Sequence, residues 1–324
     1  MACDLEKTLK GKFAAAEACG ELLVPVDRAE RRQCARARAS GVLVCPYPGL
    51  FARGEWYEAL PERVRYLSVV RGIARLHPDW IFCSFTAAIL HGLWVANARL
   101  DAVHVRVDGR ESTRKSPGRI QCHLIVDDEF AMQCGLRVTS LHRTVLDCLC
   151  ATRFCEGLGI VDAALHWGMT DRGSIVRYAA EHGARRPGIV GARRVLAYAD
   201  GGSENGGESL ARGMMIELGF AVPELQVEFA DPMEPGNPKR VDFCWRRSDG
   251  RVIVGELDGL AKYSGGERVV DPARAVRVLA KERRREAHLN LTGATVIRFS
   301  LAEALDASYF THLLSSAGVP RAQP

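Results

Sequence analysis

At 324 residues the chain is long enough for two or three domains, each with a core of its own. Hydrophobic residues make up 47% and charged residues 26%, a soluble globular balance, and no apolar run approaches the ~20 residues of a membrane-spanning helix. The net charge of +5 is unevenly placed: residues 201–324 carry 16 Lys/Arg against 17 Asp/Glu, leaving 28 against 22 for residues 1–200. That mild basic bias of the front part is compatible with contact to nucleic acid and too small to establish it.

The start, Met1-Ala2-Cys3-Asp4-Leu5-Glu6-Lys7, is charged and lacks the apolar core of a secretory signal, so a cytoplasmic protein is expected. Leu5 to Cys19 is helix-like. Asp27 can cap a second helix from Arg28 to about Arg38, with Gly41 just beyond. Val42 to Cys45 and Leu50 to Arg53 read as two short strands around Pro46-Tyr47-Pro48-Gly49. Two helices and a ribbon make a winged helix-turn-helix one reading of residues 1–75, with Arg31, Arg32, Arg36 and Arg38 near DNA phosphates. A merely solvated Arg-rich helix face is the other, and no full third helix is evident before Pro25.

Next come Ser84-Phe85-Thr86-Ala87-Ala88-Ile89-Leu90-His91-Gly92-Leu93, an alternating strand from Ala102 to Val107, and Val138-Thr139-Ser140-Leu141-His142-Arg143-Thr144-Val145-Leu146-Asp147. This series resembles the AbiE-type antitoxin family, with its "SxxsAaxlhGL" and "vTsxxRTlxD" motifs, over about residues 20 to 165. The resemblance implies a DNA-binding regulator with a cognate toxin protein as partner. The residues themselves point to structure: Thr139 or Ser140 can cap the following helix, Arg143 and Asp147 are an i,i+4 pair, and His91 reads as a capping or core histidine. Of eleven cysteines, only Cys148, Cys150 and Cys155 cluster, and no CxxC pair occurs. Free thiols are expected rather than zinc or disulfides.

Residues 168–200 read as a helical connector that closes an α/β module over 76–199. The stretch Asp200 to Gly207 marks entry to a last domain, 200–324. There Glu208 opens a helix with Leu210, Met214 and Leu218 at i, i+4 and i+8, and Gly219 closes it. A strand from Leu225 to Phe229 precedes a hairpin, Val241 to Trp245 and Val252 to Leu257, turning at Ser248-Asp249-Gly250. That turn puts Asp242 opposite Glu256, give or take one residue, and Glu256 and Asp258 on one face. Pro272 stands where a helix could begin, with Arg274, Arg277, Lys281, Arg284 and Arg285 off its apolar side; Gly293 ends it, and Ala294 to Phe299 reads as a final strand. Three acidic groups converging at a strand end are costly unless a hard divalent cation or protonation offsets their repulsion.

With Glu208 on the helix, Asp242 on a strand and the Glu256-x-Asp258 pair, this order resembles the PD-(D/E)XK nuclease superfamily over about residues 200 to 300. Glu256-x-Asp258-Gly259-x-x-Lys262, Arg285-Glu286 and Gly293-Ala294-Thr295-Val296-Ile297-Arg298-Phe299 are similar to the "ElDGxxH", "R-(D/E)" and "GxxVlRf" elements of the branch near the very-short-patch repair endonucleases. Gln226 falls where that branch often has "RRQ". Asp258 stands where the superfamily usually has Lys, Lys262 where the closer relatives have His, and Val241 where the motif has Pro. The resemblance implies an αβββαβ restriction-endonuclease-like fold, within an overall α/β (α+β multidomain) chain. It implies a DNA endonuclease using Mg²⁺ or Mn²⁺, with Asp242, Glu256 and Asp258 as metal ligands, Glu208 assisting, Lys262 acting on water or phosphate, and Arg284 and Arg285 near DNA. Each position has a plain reading too: a solvated or ion-paired acid, a first-turn Glu favoured by the helix dipole, a solvated Arg run. An enzyme, a catalytically silent DNA-binding regulator and a structural interaction protein therefore remain as alternatives, the displaced lysine favouring the second.

Overall fold

A computed structural model of the protein describes residues 7–108, 119–126, 129–234, 236–258, 284, 287–289 and 291–322. It is a mixed α/β protein with several small sheets, and it divides into two compact units, Met1–Cys148 and Leu149–Pro324.

In the first unit, α1 (Lys7–Ala18) and α2 (Arg28–Ala39) precede the antiparallel pair β1 (Leu43–Tyr47) and β2 (Leu50–Arg53). Asp27 starts α2 by accepting from the Glu30 amide at 2.8 Å. Leu9, Phe13, Leu23, Cys34, Ala37, Leu43 and Phe51 form a small core among these elements. After α3 (Gly54–Ala59) and α4 (Glu62–Leu76) comes α5 (Ser84–Leu90), every residue of which is buried. β3 (Val103–Val107) and β4 (Ile120–Leu124) run parallel; β5 (Ala131–Gln133) and β6 (Leu136–Val138) form a short hairpin. The backbone of Phe82 bridges β3 and β6.

His91 Nε2 hydrogen-bonds the Thr139 carbonyl at 2.9 Å, and burial pushes its pKa down. Thr139 Oγ1 and Thr144 Oγ1 share a hydrogen bond of 2.7 Å at the start of α6 (Leu141–Ala151). Arg143 Nε donates to Asp147 at 3.0 Å along that helix. Ten of the cysteines lie among the described residues, and none of these ten forms a disulfide there.

The second unit begins earlier than residue 200. α7 (Phe154–His166), with α8 (Arg172–His182) and α9 (Ile189–Tyr198) of the stretch read as connector, packs as part of it. The physical reason is α10 (Gly206–Glu217), which lies close against α7. A Cβ at Gly213 would stand 2.9 Å from Cys155 Cα. At the same interface Arg212 Nη2 donates to Asp162 at 2.7 Å, both side chains being fully buried. Arg212 Nη1 also donates to the Tyr198 carbonyl, and Asp162 also accepts from the Asp200 amide.

Beyond α10 a four-stranded sheet forms from β7 (Glu224–Phe229), β8 (Lys239–Arg246), β9 (Val252–Asp258) and β10 (Thr295–Ser300), in the order β10-β9-β8-β7. β7, β8 and β9 are antiparallel neighbours, whereas β10 is parallel to β9. The β8–β9 turn is where the sequence puts it: Gly250 at φ +84° donates to the Arg247 carbonyl, a glycine-closed three-residue loop.

The sheet has an apolar core on each side. Phe243, Trp245, Ile253, Ile297 and Phe299 pack with Ala211 and Met215 of α10 and with α11 (Leu301–Leu305) and α12 (Ala307–Ser316). Val241, Cys244, Val254 and Ala294 pack with Leu289, in the helical residues 287–289. Asp231 ties those residues to the sheet, taking a hydrogen bond from His288 at 2.8 Å and an ion pair from Lys239 at 3.0 Å.

Candidate active site

The acidic residues meet at one end of the sheet in the second unit. α10 starts on Asn205, whose side-chain oxygen accepts from the Glu208 amide at 3.1 Å. The start of α10 abuts β9, for a Cβ at Gly207 would stand 3.3 Å from Leu257 Cδ2. Glu208, at the third position of the helix, returns the capping contact: its carboxylate accepts from the Glu204 amide at 2.7 Å and from the Asn205 side chain. It also accepts from Gln226 Nε2 at 3.1 Å.

Gln226 reaches Glu208 from within β7 at φ +52°, a left-handed conformation unusual for a strand glutamine and costing on the order of 1 kcal/mol. Glu208 is only 4% exposed. Burial first, then the charges of Asp242 and Glu204, push its carboxyl up to about 7, against the pull of the Glu204 and Gln226 donors.

Phe243 lies opposite Gly255 in the β8–β9 register, which continued by one residue sets Asp242 opposite Glu256, as the turn predicts. Asp242 ties itself to β9 by accepting from the Leu257 amide at 2.8 Å. Glu256 is buried, while Asp258, two residues on, is exposed.

The parallel neighbour β10 then brings in Arg298, aligned with Glu256. Its Nη2 lies 3.5 Å from Glu256 Oε2 and 3.0 Å from Asp258 Oδ1, and its Nε donates to Asp258 at 3.0 Å. One guanidinium thus contacts both carboxylates of β9.

Asp242 acts on Glu208 and binds the Leu257 amide, while Glu256 and Asp258 share the Arg298 guanidinium. Lys262 and Arg285 lie outside the described residues. Arg284 is a helical, exposed residue. In the first unit Arg31, Arg32, Arg36 and Arg38 are all exposed on α2.

The oxygen donors have the hard chemistry of a divalent-cation site, and the Asp242 charge felt at Glu208 is the repulsion that such an ion relieves. Their present arrangement does not fit a resident ion. Among the described residues no three His, Cys, Asp or Glu side chains are disposed to hold one, and Arg298 is already seated between Glu256 and Asp258.

No family model matches the chain. Two curated proteins of Mycobacterium tuberculosis, uncharacterized protein MT2308 of strain CDC 1551 / Oshkosh and uncharacterized protein Rv2248 of strain H37Rv, are each 32% identical to it over 217 residues, 67% of this chain and 73% of theirs. The chain belongs to their family. Neither name states an activity or a ligand for this mycobacterial family.

Arg298 and Asn205 are the site residues that local sequence reading does not nominate. Arg298 appears there only as a letter of a strand motif, because its partnership with Glu256 depends on β10 pairing in parallel beside β9.

Proposed function

We propose that the protein acts on DNA. In this reading its second unit is a restriction-endonuclease-like domain of the very-short-patch repair kind, and phosphodiester hydrolysis is its reaction. One observation carries the reading: acidic side chains from α10, β8 and β9 gather at one end of a mixed four-stranded sheet, close enough for Asp242 to raise the Glu208 carboxyl. The element order, a helix, three antiparallel strands and a fourth strand parallel to the third, supports it further. Glu208, Asp242, Glu256 and Asp258 are then the acidic centre. With Mg²⁺ or Mn²⁺ supplied, the ion would balance charge at the phosphate. In the described arrangement a guanidinium holds that balance instead, so hydrolysis requires the centre to open.

The test is nicking of supercoiled plasmid by the full-length protein with Mn²⁺. Nicked product that disappears in a folded Glu256→Ala/Asp258→Ala variant is expected. Absence of nicking across plasmid, single-stranded and mismatched substrates would contradict the hydrolytic reading.

A second reading is a catalytically silent regulator that finds DNA through its first unit, with a toxin protein as its partner in the AbiE-type manner. Arg298 on the two β9 carboxylates, and Asp258 in the place of the motif's lysine, favour it. The exposed arginines of α2 beside the β1–β2 ribbon would then meet phosphates. In gel-shift titrations at several salt concentrations, Arg32→Ala/Arg36→Ala is expected to lower the log–log salt slope by about two. An unchanged slope would remove α2 from the interface.

A further inference from the structure

The acidic centre already has a cation, and it belongs to the chain. Three contacts of 3.0–3.5 Å join the Arg298 guanidinium to Glu256 and Asp258, and strand pairing fixes the geometry. Arg298 stands directly beside Glu256 in the parallel β10–β9 register, so its side chain reaches both carboxylates without any loop movement. The arginine is largely buried, at 24% side-chain exposure, and Glu256 is at 5%. A carboxylate so buried is unstable without a compensating charge, and a hard divalent ion needs the same oxygens that the guanidinium now occupies.

We propose that Arg298 is the resident counter-cation of this centre and competes with a divalent cation for Glu256 and Asp258, so that an ion enters only as the guanidinium leaves. The proposal rests on the reading of those two residues as part of the acidic centre. It explains why acids gathered at the sheet end form no ready-made ligand trio among the described residues. It also places the missing charge of the motif: a cation absent from position 258 arrives in space from the neighbouring strand. A released guanidinium, being planar and permanently charged, is suited to a phosphate oxygen.

Mn²⁺ binding to the full-length protein tests this, read as the free-ion electron paramagnetic resonance signal. Arg298→Gln is expected to bind Mn²⁺ roughly five- to tenfold more tightly than the unaltered protein, since the competing charge is gone. Arg298→Lys, with the charge kept but the fork lost, should fall between, and serves alone if the glutamine variant does not fold. Adding Glu256→Gln to Arg298→Gln should cancel the gain. A melting readout accompanies it: without metal Arg298→Gln melts lower, and Mn²⁺ restores more of its stability than it adds to the unaltered protein.

Equal or weaker Mn²⁺ binding by the folded glutamine variant, or by the lysine variant where only that folds, overturns the proposal. The nuclease reading fails separately. Tighter binding without cleavage by any variant leaves Arg298 as the counter-cation and removes hydrolysis; cleavage with unchanged binding does the reverse.

Discussion

Glu208 makes the second unit sensitive to pH. Its carboxyl titrates near 7 in the folded chain against an ordinary 4.5, so the folded state retains a proton that the unfolded state gives up. Below about pH 4.5 both states carry the proton and the group's contribution to stability is fully present. Between 4.5 and 7 its contribution to stability falls as pH rises, and above about 7 the loss is complete. Asp242→Asn keeps an acceptor for the Leu257 amide but removes a charge that raises Glu208. The variant should therefore lose less stability over that window and melt roughly 2–4 °C above the unaltered protein at pH 8. Superimposable melting profiles from pH 5 to 8 would show that Asp242 does not act on Glu208. At this scale the acids were legible, because an Asp and a Glu facing each other across a glycine turn follow from counting residues. The role of Arg298 was not, and neither was the left-handed conformation of Gln226: the one depends on which strand lies beside β9, the other accompanies a tertiary contact to Glu208.

Among the elements, α10 connects the site to the rest of the second unit. Its first turn carries Glu208, and one turn further on Arg212 is locked against Asp162 of α7, where burial pushes the aspartate's pKa up and Arg212 offsets only part of that rise. Removing one partner of a buried pair leaves the other charge uncompensated. Arg212→Ala is expected to cost about 3–5 kcal/mol in chemical denaturation, and Asp162→Asn/Arg212→Met to recover most of it. A cost below about 1 kcal/mol for the single substitution would mean that water reaches the aspartate. Helix starts and turns were the legible part of this level. Asp27 caps α2, Gly219 follows α10 in a left-handed conformation, and the β8–β9 loop closes on Gly250. The packing of α7 on α10 was hidden because small residues, Gly213 against Cys155, permit it without leaving a periodic apolar signal.

Across the whole molecule, the two units have different characters. The first exposes arginines on α2 beside a short ribbon, and the second gathers acids at a sheet end. The charge count by segment carried that asymmetry in the sequence, yet the division lies at Cys148 and Leu149, ahead of the glycine-rich stretch at 200. That stretch lies within the second unit, where Asp200 and Tyr198 bond back to the Asp162–Arg212 pair. No helix among the described residues is long and apolar enough to cross a membrane. The family shared with the two mycobacterial proteins extends over 217 residues, more than the second unit alone contains.

In the proposed reading, acids from separate elements form one centre that works on DNA. The most direct measurement is the plasmid-nicking rate of the unaltered protein, Asp242→Ala, Glu256→Ala and the double variant, in Mn²⁺ at one pH. Residues acting as a unit are strongly non-additive. Each single variant should lose at least about a hundredfold in rate, with the double variant no slower than the worse single. Nicking that persists undiminished in the double variant, or that the unaltered protein never shows, would contradict the account.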